Sequence, residues 1–531
     1  MFRITHPARS AAVIAAVAIS ALTLSACSGS SGSGGSGAAV DTSKLTIGIQ
    51  ADMAPNGYDP LRYSTGQRIF FEGMYDSLFM LNNDGKTVPD LVKKFSYNAD
   101  NTQMTLDLKT NVKFTDGSEL TADLVKKNLD YRSQAGALGL NAYTQFGAGQ
   151  TTEIKDVTVV DDHTVTLTFA SAQPAFQANL AFPSGAIVGA SGVADRSSLD
   201  TKPDGSGPFV LDKSGTVKGN KYLLTKKKGD AQAKAYPFNS YEFLPIVDPQ
   251  ARVNSVISGQ SDVAEVTADT QAQLKSSGAS AGVELVANGG TIFNLIAFDK
   301  VGATGPQWSD PRVYQALSMA INRKEYVKGV HPGEVPTTNA LPAKSPGYLP
   351  ALNKQFAYDP VGAKKLLAEA GYANGFTFDF TVTPGSQRDI EALAAYWKAI
   401  GVTVTITNAS STEQQFKAVQ TNALGGPLAL TWDNPAGNIF GVLFGFANYH
   451  NAKNPAIQGA AGAYSAAAAK ADVAAQKTAL ADLNKAIVES GWLIPLYEAL
   501  SPWGYNTKKV TKLTFPGSDP YPLLASIKPA S

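Results

Sequence analysis

Residues 390–406 constrain the fold more than any other stretch of this chain. Ile390, Leu393, Ala394 and Trp397 recur at helical spacing and make one apolar face, and the helix they predict ends at Gly401. Val402, Val404 and Ile406 follow immediately with the period of a strand. A helix running straight into a strand is the unit of an α/β lobe, in which helices cover a sheet. The neighbouring sequence repeats the theme. Asp310-Pro311 places a capping carboxylate before a proline at the first helical position, with Val313, Leu317 and Ile321 on one face. Asp359-Pro360 does the same for Ala363, Leu366, Leu367 and Ala370, and Gly371 stops that helix. A last long helix is predicted over about 470–490, after which Gly491 leads into the apolar strand WLIPLY. The Ala/Gly-rich stretch 456–475 reads as a loop leading into that helix.

The N-terminal half is richer in strands. LTIGIQ (45–50) alternates apolar residues at Leu45, Ile47 and Ile49, the pattern of a strand with one buried face. Residues 103–120 read as a strand, a turn at Gly117 and the approach to a helix, for which Thr121 is the expected N-cap. TVVDDHTVTLTFA (158–170) reads as a hairpin around Asp161-Asp162. No repeat of solenoid period is present.

A chain of 531 residues is long enough for roughly three domains or lobes and needs no covalent staple. Its 45 basic residues balance 44 acidic ones, which supplies no field for gripping nucleic acid. A single cysteine forms no intrachain disulfide, and four histidines argue against a protein-built zinc cluster. No cofactor or metal site is expected.

That cysteine has another use. MFRITHPARS carries Arg3 and Arg9 and precedes sixteen uncharged residues, 11–26, too few for a transmembrane helix. The segment reads as a secretory signal ending at Leu24-Ser25-Ala26-Cys27, which resembles a bacterial lipobox. The resemblance implies cleavage before Cys27 and acylation of its thiol; two acyl chains anchor where one binds only marginally. Residues 1–26 are then signal, and 27–43 a flexible Gly/Ser leash. The literal GxGxxG at Gly32, Gly34 and Gly37 has no strand before it or helix after it, so it is no dinucleotide site.

Enzyme signatures are missing. There is no SxxK or HExxH, and the phosphate-loop lookalike at Gly85-Lys86-Thr87 has Met80 where a glycine is required. It reads as a polar turn. Scattered carboxylates leave a secreted hydrolase open as an alternative, and a structural or chaperone-like surface lipoprotein as another.

Several phrases, in order, resemble the solute-binding proteins of ABC importers, specifically the large peptide/nickel-type family 5. They are residues 58–95, VKFTDGSELTADLVKKNLDY (112–131), GSGPFVL (205–211) and RVNSVISGQSDVA (252–264). WSDPRVYQALSMAINRKEYV (308–327), DPVGAKKLLAEAGY (359–372) and IPLYEALSPWGY (494–505) complete the series. The resemblance runs from about residue 45 to 515. It implies an α/β, two-lobed periplasmic-binding-protein fold of type II, with an extra subdomain on lobe one and two hinge-crossing strands. Lobe one would be 44–295 plus 500–531, with 70–200 as the subdomain, and lobe two 296–499. The crossings would be TIFNLIAFD (291–299) and WLIPLYEAL (492–500), flanked by Gly289-Gly290 and Gly491. It further implies a monomeric, extracytoplasmic, membrane-anchored protein that delivers a small solute, a peptide foremost, to an ABC permease. A metal chelate, an opine-like compound or a sugar is the alternative ligand.

In peptide-binding members an Asp near an aromatic in lobe two holds the ligand's ammonium group. The match here is Trp432-Asp433, adjacent where the family usually separates them, and Asp433-Asn434-Pro435 reads equally well as a turn. Asp52, Met53, Phe293, Asn294, Tyr497 and Trp503 are cleft candidates by position. For each aromatic, core packing is the competing reading.

Overall fold

A computed structural model describes residues 40–62, 65–135, 154–431 and 454–530, apart from 171, 174–175, 182, 383–384, 410–413, 415–416, 419–420, 471 and 518. Its central sheet, read across, runs Leu424–Thr431, Val283–Ala297, Leu493–Asn506, Val263–Glu265, Leu45–Ile49, Ser240–Pro245, Tyr222–Lys226 and Phe209–Leu211. Leu45–Ile49 lies parallel to both neighbours, and all five of its residues are buried. The expected alternation of inside and outside is absent because a central parallel strand is covered on both faces.

Local signals predict the elements well. The Leu124 N–H donates to Thr121 Oγ1 at 3.2 Å, capping the helix Ala122–Ala135. Asp310 caps Pro311–Met319 and Asp359 caps Pro360–Glu369, each with the proline in the first turn. Ile154–Asp161 and Thr164–Phe169 form the hairpin, and Phe79–Leu81 pairs with Thr87–Pro89 around the turn containing Gly85. The helix Gln387–Lys398 is followed by the strand Val402–Asn408, which lies parallel to Phe376–Val382.

One expectation fails. Residues 456–475 are not a loop: Pro455–Ala469 is a helix, followed after a short break by the helix Val473–Glu489. Asn454 caps the first, accepting from the Ala456 and Ile457 N–H groups, and Asp472 caps the second. Alanine has the highest helix propensity of any residue, so the stretch folds locally without a strong amphipathic pattern to announce it.

The buried side chains fall into distinct cores. Leu45, Ile47, Phe70, Phe243 and Trp503 share one, and Val313, Leu317, Trp397, Ile494 and Tyr497 another. Leu78, Met104, Leu106, Val165 and Leu180 make a third around a four-stranded sheet. Leu493–Asn506 therefore enters one core at its start and a different one at its end. Its partner Val283–Ala297 pairs with it from Val283 to Ile296. The pairing slips between Gly289 and Thr291, so the glycine pair lies inside this strand rather than before it. Gly491, at φ +72°, ends the helix Val473–Glu489.

Candidate functional site

The paired strands Val283–Ala297 and Leu493–Asn506 carry the chain between its cores, and each offers two faces there. On one face, Phe293 lies opposite Tyr497 in register, with the rings stacked at 4.8 Å and 10°. His331 stacks on Tyr497 at 4.4 Å, and its Nε2 lies 2.5 Å from Asp389 Oδ1, which also accepts the Tyr326 hydroxyl. Burial, reinforced by the Asp389 charge, pushes the Tyr326 and Tyr497 phenols well above their ordinary value. Both stay neutral, and the stack is an apolar wall with fixed polar edges.

The other face sets polar side chains among apolar ones. Asn294 lies between Ile292 and Ile296 at strand spacing, so the three share this face. Its Nδ2 donates to the Ile292 carbonyl at 2.8 Å, while Oδ1 is buried without a partner. Glu498, opposite Ile292, accepts the Ala343 N–H at 3.2 Å, and Glu334 accepts the Leu500 N–H at 2.6 Å. Burial pushes Glu334 up to about 7 and raises Glu498 as well. Lys344 donates to Asn288, whose own amide donates to the carbonyls of Gly517 (3.1 Å) and Asp519 (2.7 Å). Arg68, at the start of the helix Arg68–Met74, pairs with Asp519 and with Glu72 at 2.7 Å. Polar contacts thus tie residues 334–344 to the strands and to 517–519.

Of the residues singled out in the sequence, Phe293 and Tyr497 are brought into contact. Asn294 is on the same strand but fully buried. Asp52 accepts the Tyr222 hydroxyl and the Ala54 N–H (3.2 Å), and its carbonyl accepts from Gln67. Met53 and Trp503 are both fully buried in the first core, and the Trp503 indole N–H donates to Pro520 at 2.9 Å. Trp432 and Asp433 lie outside the described residues, immediately after Leu424–Thr431, whose last residue pairs with Thr291. Cys27 also lies outside them. Sequence reasoning passed over Glu498, Glu334, Lys344 and Asn288. Glu498 had a signal: it is the lone charge in the apolar strand WLIPLYEAL.

Two further features bear on chemistry. A cavity of about 350 Å³ is lined by Lys300, Trp308, Tyr314, Asn454, Glu489 and Trp492, among others. Lys300 Nζ sits 4.6 Å above the Trp492 ring, and burial pushes this amine down to about 7. Among the described residues no group of three His, Cys, Asp or Glu is placed to hold a metal ion, and no helix is long and apolar enough to cross a membrane.

Residues 86–440 match the family model of bacterial extracellular solute-binding proteins, family 5 (middle). The glutathione-binding protein GsiB of Escherichia coli O1:K1 / APEC is 29% identical over 309 residues, which is 58% of this chain and 57% of that protein. The match thus spans little more than half the relative's length. Among solved structures, HbpA2 from Haemophilus parasuis superposes with a TM-score of 0.77 at 21% identity, covering 92% of this chain and 100% of that one. A dipeptide-binding protein from Pseudoalteromonas sp. SM9913, solved in complex with Met-Leu, gives 0.67 at 19% identity, with 92% and 100% coverage. The fold is the two-lobed α/β fold of type II periplasmic binding proteins, and by the family match the chain belongs to the bacterial extracellular solute-binding proteins of family 5.

Proposed function

We propose that this chain is the substrate-binding lipoprotein of an ABC importer, anchored through Cys27, that captures a peptide between its lobes and presents it to a membrane permease. Lobe one would comprise residues 44–295 and 500–531, with 70–200 as its subdomain, and lobe two residues 296–499. The observation that carries this reading is the pair of long strands shared by two cores, with the Phe293–Tyr497 wall where they cross. A hinge of two strands lets rigid lobes close on a ligand. The ligand shifts that balance only through contacts it makes better in the closed state. Relatives that bind Met-Leu, the peptide STSA or glutathione support a peptide as the solute. Asp433 is the proposed anchor for its ammonium group, and Asp52, Phe293 and Tyr497 line the approach, with Met53, Asn294 and Trp503 behind them. No step of this reading needs catalysis, a cofactor or a metal, and the protein acts as a monomer.

Native mass spectrometry of freshly purified protein tests the class of ligand. A retained peptide mass is expected; a retained opine or sugar replaces the peptide reading, and turnover of an added peptide replaces the binder with a hydrolase. Small-angle scattering with the released ligand tests closure. An unchanged radius of gyration at saturation would refute it.

A further inference from the structure

Glu498 is an unusual residue to find where it is. Only 6% of it is exposed, yet it takes one hydrogen bond among the described residues, from the Ala343 N–H to Oε2. No Lys, Arg or His nitrogen among the described residues comes within ion-pair distance of it, since the nearby Lys344 ammonium is directed to Asn288. Burying a carboxylate with so little compensation is costly, and such a group persists where something else uses it. Among the described residues Oε1 has no hydrogen-bond partner, and it is not among the polar atoms sealed from solvent. The chain also makes room for it: a Cβ on Gly289 would lie 2.4 Å from Oε1, so only the bare backbone of glycine leaves that oxygen where it is.

Lys344 is the nearby cation, and a second carboxylate stands close as well. Glu334 lies close enough for the two carboxylates to repel each other, and one of its oxygens takes the Leu500 N–H. Acceptors outnumber donors here, so the partner that completes the notch must bring hydrogens and positive charge. An alkylammonium brings three donors on a compact head and accepts none.

We propose that Glu498, with Glu334 beside it and Gly289 holding the space open, forms a receptor for a primary ammonium group where the two lobes meet. It is distinct from the Asp433 anchor and gives the captured solute a second cationic contact. The inference rests on the solute-binding reading above for the source of that group, a lysine side chain of a peptide. A free diamine offers the same chemistry.

Calorimetry on the purified chain at fixed ionic strength decides, with Gly-Lys, Gly-norleucine and 1,4-diaminobutane as probes. Gly-norleucine keeps the side-chain carbons of Gly-Lys and lacks only its ammonium group. Gly-Lys is expected to bind at least about tenfold tighter, the effect of one charge-assisted hydrogen bond, with the preference gone in Glu498→Gln. Lys344→Met removes a competing cation and should tighten Gly-Lys several-fold. That arm stands even if the Glu498 variant does not fold. Equal affinity for the two peptides, a preference that survives Glu498→Gln, or no gain in Lys344→Met overturns the receptor and leaves the importer reading intact. If neither peptide binds, the peptide reading falls and 1,4-diaminobutane decides the receptor. Heat lost in Glu498→Gln then identifies a free amine as the source, and no heat overturns the proposal.

Discussion

Replacing Glu334 by glutamine should change the stability of this protein in a way that depends on pH, and the sign follows from where the carboxyl sits. Burial, the largest influence on it, outweighs both the Leu500 N–H that stabilises its charged form and the nearby His331, and Glu498 adds repulsion. The group therefore holds its proton up to about pH 7 in the folded chain, against an ordinary 4.5. Between those values the native state binds more protons than the unfolded one, so stability falls as pH rises from 4.5 to 7 and is flat above. At 1.36 kcal/mol per pH unit the interval corresponds to about 3 kcal/mol; for a partly exposed group, solvent screening reduces that to about 1.5.

Glutamine is neutral at every pH and its amide oxygen still accepts the Leu500 N–H, so Glu334→Gln keeps the contact and removes the titration. Urea unfolding followed by tryptophan fluorescence at pH 5 and pH 8 is the assay, and the quantity of interest is the difference between variant and wild type. Other titrating groups largely cancel in that difference. The variant should match wild type at pH 5 and exceed it by about 1.5 kcal/mol at pH 8. A difference that is the same at both values, or larger at pH 5, would show that burial does not govern this carboxyl.

Lys300 predicts the opposite slope: its amine is pushed down to about 7, so wild-type stability should rise between pH 7 and pH 10, and Lys300→Met should lack that rise in the same urea experiment. Gly289→Ala sets a Cβ against Glu498 Oε1, the movable end of a flexible side chain, so it should cost only about 1 kcal/mol in urea while abolishing any preference for Gly-Lys in calorimetry. Asp433→Asn should weaken peptide binding by at least about 1.5 kcal/mol if that carboxylate holds the ligand's amine. Cys27→Ala should end labelling by radioactive palmitate and release the protein from membranes; a variant that still labels refutes the anchor.

The two halves of the problem were unequally legible in the sequence for physical reasons. Helices announced themselves because a cap and a proline fix a helix start locally, as Asp310-Pro311 and Asp359-Pro360 do, and the same local chemistry at Asn454-Pro455 was there to be read beneath an alanine-rich composition. Leu45–Ile49 was found, but its full burial was not, because coverage on both sides is a property of the strands from 240 and 263 that flank it. The site is harder still, since it is assembled from residues far apart in the chain: the Phe293–Tyr497 stack depends on strand register, and the proposed Glu498 receptor needs Gly289 and Glu334 beside it. Position alone nominated Trp503 and Met53, both of which fill the first core, because an aromatic or a thioether beside a hinge packs as well as it binds. A charge differs in kind. An apolar strand gains nothing from a glutamate unless something pairs with it, so Glu498 within WLIPLYEAL was a position where the sequence alone, without register, posed the question of a partner.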